Sequence, residues 1–189
     1  MNLLCHLTAT GFSNTYVVHD GPDAVVVDPG GLDRQLLLHI EGRRLRLRAV
    51  LLTHRHPSHT DGLRAMRRIW EFEVWARDPG YGQMSSREAR DGQRLDFGSI
   101  EVLCLEVPGH SPDSLCFRIG DWLFTGDTLM AGEIGSTRDG LLRRVLVDSI
   151  WSRLLVWPDD TPVFAGHGPP TRVGVERRFN PYLVCGPRE

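Results

Sequence analysis

At 189 residues with 41% hydrophobic content, the chain is long enough for one well-buried core, and no composition shift marks a second domain. A formal net charge of -2 excludes the strongly basic footprint of a nucleic-acid or anionic-membrane binder, although the basic side chains, all arginine, form local pairs such as Arg43-Arg44 and Arg177-Arg178. No stretch approaches the roughly 20 apolar residues of a membrane span, and no basic segment followed by an apolar run opens the chain, so neither anchor nor export signal is expected.

Cys5, Cys104, Cys116 and Cys185 show no C-x-x-C spacing and mostly lie in apolar segments, which predicts reduced, buried thiols and a cytoplasmic location. In chain order, 1–8 and 12–19 read as strands joined at Gly11, and Ala24 to Val27 as a third, together an antiparallel meander. Leucines at 32, 36 and 37, with Ile40, recur with helical period, and Gly42 lies where that helix would stop. An apolar strand, Leu47 to Leu52, empties into a loop, and a helix is expected from Ser58 to Trp70. Further strands are read at 73–76, 100–107, 115–119 and 122–124, the last two a hairpin turned at Gly120-Asp121. A helix from Leu141 to Val156 and a strand from Pro162 to Ala165 complete the pattern, which implies two packed sheets with helices outside.

Chemistry concentrates in the loop Thr53-His54-Arg55-His56-Pro57-Ser58-His59. His54 and His56 are two apart, so in extended chain their rings point to one side and can share a metal ion, while His59 on the following helical turn aims at a neighbouring point. Three later strand ends carry a further ligand type beside glycine: Gly109-His110, Gly126-Asp127 and Gly166-His167-Gly168. Each motif alone is commonplace, since Gly-Asp is often just a turn. Jointly they supply five histidines and one carboxylate, near the seven or eight ligand positions that two four-coordinate zinc ions need when one solvent oxygen is shared.

In the order His54-x-His56-x-Ser58-His59, His110, Asp127, His167, these residues resemble the H-x-H-x-D-H, His, Asp, His pattern of the metallo-β-lactamase superfamily. Asn14-Thr15-Tyr16, Val27-Asp28-Pro29-Gly30, the run from Pro108 to Ser114, and His167 to Thr171 with Glu176 to Leu183 narrow the resemblance to small glyoxalase II-like, or hydroxyacylglutathione hydrolase-like, enzymes. The resemblance implies an α/β fold, an αββα sandwich of two mixed sheets flanked by helices, with metals in a groove at the sheet edges and a small thioester as substrate. It also implies one site of His54, His56 and His110, and another of His59 and His167, with Asp127 bridging.

Two departures stand out. The pattern's first Asp is Ser58, and the family's Gly-Arg-Thr-Asp is Gly135-Ser136-Thr137-Arg138. Without the first carboxylate the second ion should bind more weakly, and Ser58 cannot accept a water's hydrogen bond as an anion. One zinc still suffices to bring bound water to a pKa of about 7. Ser58 is equally suited to capping a helix, and Asp28 to a turn or to supporting a ligand. Three readings follow: a zinc hydrolase with one or two ions, in which Asp127 and Ser58 lie at the reacting centre; an iron enzyme acting with oxygen, like persulfide dioxygenases, through His54, His110 and Asp127; or a weakened metal-binding relative. The expected partner is a small molecule.

Overall fold

The structure, a computed structural model, describes residues 1–9, 11–80 and 85–184, so Cys185 lies outside the described residues. Six strands form the first sheet, in the order β1 (Asn2–Leu7), β2 (Asn14–Asp20), β3 (Asp23–Val27), β4 (Arg46–Leu51), β5 (Glu73–Ala76) and β6 (Arg87–Glu88). The first three make the expected antiparallel meander, and β3 to β6 run parallel, so the sheet is mixed. Between β3 and β4 lies α1 (Arg34–Gly42), capped by Asp33, whose side chain accepts the Leu36 N–H at 2.9 Å.

The second sheet contains β7 (Arg94–Phe97), β8 (Ile100–Glu106), β9 (Leu115–Ile119), β10 (Trp122–Gly126), β13 (Pro162–Ala165) and β14 (Thr171–Arg172), in the spatial order β14-β13-β10-β9-β8-β7. A small hairpin, β11 (Leu129–Met130) with β12 (Glu133–Ile134), follows β10. Two helices flank this sheet, α4 (Gly140–Arg153) and α5 (Val173–Phe179).

Alternation along the strands assigns the layers. In β2, β3 and β4, Val18, Val25, Val27, Ala49 and Leu51 face Val102, Phe117, Ile119 and Phe124 of the other sheet. Their neighbours Val17, Val26 and Val50 point the opposite way onto Leu36, Ile40, Leu63 and Met66, because successive side chains of a strand leave opposite faces. Leu105, Cys116, Leu123 and Val163 likewise meet Leu146 and Ile150 of α4 and Leu154, which caps it. The αββα sandwich is thus built.

Two sequence expectations need correction. The helix read from Ser58 to Trp70 is two single turns, α2 (Pro57–Thr60) and α3 (Leu63–Met66), and its cap position is held by His56 rather than Ser58. Gly62 explains the break: its N–H bonds the Pro29 carbonyl at 2.8 Å, and a Cβ there would stand 2.7 Å from that oxygen. Pro57 occupies the first helical position, where a missing N–H costs nothing, which shifts the start one residue earlier. Among the cysteines, Cys104 and Cys116 are buried as expected, but Cys5 is exposed on edge strand β1, where only one neighbouring strand covers it.

Candidate metal centre

Four strands deliver the ligand-type residues to one end of the sandwich. His54, His56 and His59 follow β4, His110 follows β8, Asp127 follows β10 and His167 follows β13. Short backbone bonds lock the loops together: the Leu115 N–H donates to the Thr53 carbonyl and the Gly166 N–H to the Gly126 carbonyl, both at 2.7 Å. Asn14 donates to the Ala165 and Gly168 carbonyls at 3.0 and 2.8 Å, and the Tyr16 hydroxyl to Ala165 at 2.6 Å, so the Asn-Thr-Tyr motif pins the His167 loop to the first sheet. Gly126 and Gly166 permit the close approach. A Cβ on Gly126 (φ +51) would lie 2.3 Å from Thr53 Oγ1, and one on Gly166 2.4 Å from the His59 ring.

His54, His56, His110 and Asp127 form one cluster and His59, Asp127 and His167 a second, each with ligand atoms within 4.8 Å of one another. The two share Asp127. His54 Nε2 lies 2.8 Å and His110 Nε2 3.3 Å from His56 Nδ1, and Asp127 Oδ2 stands 3.8, 4.0 and 3.4 Å from the Nε2 atoms of His54, His110 and His59. His167 Nδ1 is 2.7 Å from Asp127 Oδ1.

The outer nitrogens decide which ring atoms face inward. Thr53 gives its hydroxyl proton to Asp28 at 2.6 Å and so accepts from His54 Nδ1 at 3.0 Å. His110 Nδ1 donates to the Ser136 carbonyl at 2.9 Å, and His59 Nδ1 to Asp28 Oδ2 at 2.9 Å. Each of these three rings therefore places a hydrogen on Nδ1 and turns Nε2 toward the centre, the atom that a metal-binding histidine offers. His59 Nε2 is buried and has no hydrogen-bond partner, an orphaned polar atom whose place a cation would satisfy. The donor set of imidazoles and one carboxylate fits zinc or iron.

Electrostatics agree. Burial, then the neighbouring His59, push His54 down to about 3, and burial, then His110, lower His56, so both rings are neutral and available as ligands. For His59, burial opposes the proton but Asp28 and Asp127 outweigh it and raise the ring to about 10. Burial opposes the charge on Asp127, but the hydrogen bond of His167 and the nearby His59 hold it ionised, and its bond in turn raises His167. In the apoprotein a proton thus occupies the place between Asp28 and Asp127 that a cation takes on binding.

Ser58 lies one residue before His59, half-buried, with its carbonyl accepting from Ser13 and its hydroxyl without a hydrogen-bond partner among the described residues. Asp61 is exposed and belongs to neither cluster. Sequence reasoning passed over Arg55, which donates to Asp113 at 3.1 Å and so ties the histidine loop to the His110 loop. It also passed over the cavity beside the centre, about 440 Å³, lined by His110, Asp127 and His167 together with Met130, Glu133, Ile134, Arg143 and Tyr182. Only a cation in the first turn of a helix, where the dipole disfavours one, hinted at Arg143.

Residues 8–168 match the sequence pattern of the metallo-beta-lactamase superfamily, and the chain belongs to that superfamily. An uncharacterized protein of Mycobacterium leprae is 37% identical over 90% of this chain and 93% of its own length. Hydroxyacylglutathione hydrolase GloC of Haemophilus influenzae is 30% identical over 87% of this chain and 89% of its own. Among solved structures, ETHE1 from Myxococcus xanthus superposes with a TM-score of 0.88 at 27% identity, covering 98% of this chain and 85% of that one.

Proposed function

We propose that the protein is a metal-dependent hydrolase of thioesters or similar small esters, acting in the cytoplasm. The observation that carries this reading is the pair of His/Asp clusters sharing Asp127 and opening on a cavity of small-molecule size. Similarity to a hydroxyacylglutathione hydrolase over most of both chains supports the substrate class.

In this reading His54, His56 and His110 hold the first ion, His59 and His167 the second, and Asp127 lies between them. A bound zinc or iron ion supplies Lewis acidity, lowering the pKa of water to about 7 and polarising the substrate carbonyl. The chain's own groups do the rest. Asp127, ionised, accepts hydrogen bonds and orients the attacking water; Asp28, Thr53 and the Ser136 carbonyl keep the rings in register; Ser58 offers a neutral hydroxyl where the H-x-H-x-D-H pattern has a carboxylate. Water's oxygen joins the acyl carbon, the C–S bond breaks, and a carboxylate, a thiol and a proton leave.

A second reading, an iron enzyme acting with oxygen, is favoured by His54, His110 and Asp127 as a two-histidine, one-carboxylate set, with Asp127 Oδ2 at 3.8 and 4.0 Å from the two rings. Elemental analysis of protein purified without added metal, paired with assays for thioester cleavage and oxygen uptake, separates the two. Zinc with hydrolysis supports the first; iron with oxygen uptake and no hydrolysis replaces it.

A further inference from the structure

The cavity beside the clusters is walled by the metal-binding residues, the β11–β12 hairpin, the neutral loop Gly135–Thr137 and Tyr182. The remaining wall is the start of α4, which contributes Arg143. Among the described residues the Arg143 guanidinium has no ion pair or hydrogen bond, whereas the adjacent Arg144 reaches Asp148 at 4.0 Å. Arg143 also sits four residues past the cap Asp139, in the turn where the helix dipole disfavours a cation, so helix stability does not account for it. Glu133 lines the same cavity without pairing to Arg143.

We infer that Arg143 is a specificity-determining residue that receives a carboxylate carried by the substrate while the scissile carbonyl lies against His110, Asp127 and His167. The inference rests on the hydrolase reading and deepens it by naming the substrate class, thioesters with one negatively charged carboxylate. Three features lead there. A planar guanidinium with free donors matches a carboxylate in two parallel hydrogen bonds. The cavity offers one uncommitted cation, and Glu133 on its wall opposes a second negative charge, which disfavours a phosphate dianion. At about 440 Å³, the space accommodates a small acyl thioester spanning both ends.

The test compares the metal-loaded parent with Arg143→Ala and Arg143→Lys on two thioesters of equal length, one ending in a carboxylate and one in the corresponding primary amide. For Arg143→Ala, KM for the carboxylate substrate should rise about 10- to 100-fold with kcat within about twofold, the amide substrate should be unaffected, and Arg143→Lys should recover part of the loss. Unchanged KM, or an equal rise for both substrates, overturns the assignment. Calorimetric binding of a non-hydrolysable thioether with the same carboxylate gives a readout independent of turnover. If the parent cleaves neither thioester, the hydrolase reading fails, and the thioether still judges Arg143: weakened binding in Arg143→Ala at unchanged Tm supports the carboxylate site, and equal binding overturns it. Tighter binding of a phosphate-bearing thioether than of the carboxylate one overturns the substrate class.

Discussion

Asp28 and His59 are joined by a 2.9 Å hydrogen bond that fixes the proton on His59 Nδ1 and leaves its buried Nε2 facing Asp127. Asp28 takes a left-handed backbone conformation, φ +51, which Asn also adopts readily, so Asp28→Asn should keep the fold. Its amide would present a donor to His59 Nδ1, move the imidazole proton to Nε2 and block that ligand. The affinity of the second ion should fall about 10- to 100-fold while the first is retained. A stepwise zinc titration of chelator-stripped protein reads this, and equal weakening of both steps would contradict it.

Ser58 is the neutral member of an otherwise complete pattern. Ser58→Asp places an anion one residue before His59, where it offsets metal charge in a partly dehydrated centre far better than a hydroxyl does. Zinc content should rise toward two ions per chain, with faster thioester cleavage. Matching second-site affinities in parent and variant, measured by calorimetry, would sink the idea.

Much of this centre was legible in the sequence because metal ligation needs particular side chains at strand ends, and His54, His56, His59, His110, Asp127 and His167 all stand at such positions. The unbroken apolar runs Ala24 to Val27 and Ala49 to Leu52 likewise mark strands buried on both faces. What periodicity could not show was tertiary in origin. The break at Gly62 comes from contact with Pro29 and Gly31, and the two-residue strands β6, β11, β12 and β14 are too short to carry any pattern. Helix α5 escaped notice because its anchor is a buried carboxylate rather than an apolar stripe.

That carboxylate is Glu176, 1% exposed, which accepts from the Gly132 N–H at 3.0 Å and from Thr171 and Asn180 at 2.7 Å. Glu176→Ala strands these donors, and an unsatisfied buried group costs about 1–3 kcal/mol. Gly132 lies in the turn of the hairpin that walls the cavity, so the urea midpoint should drop and KM should rise together. An unchanged midpoint would show that water takes the place of the carboxylate.

Burial pushes the Cys104 and Cys116 thiols up to about 12, and a group raised in this way stays protonated until pH approaches that value. Since the thiolate is the nucleophile, native protein at pH 8 should leave both unalkylated by iodoacetamide while exposed Cys5 reacts, and unfolding should make all three reactive. Peptide mass mapping checks the pattern. Rapid native labelling of Cys116 would refute the packing around β9.

Ligands delivered by the loops after β4, β8, β10 and β13 also set an order on the protein's biogenesis. A nascent chain emerging from the ribosome completes its first cluster only once Asp127 is out and its second only with His167. The second cluster thus forms only after the first, and a chain truncated before β13 carries at most a single-ion centre.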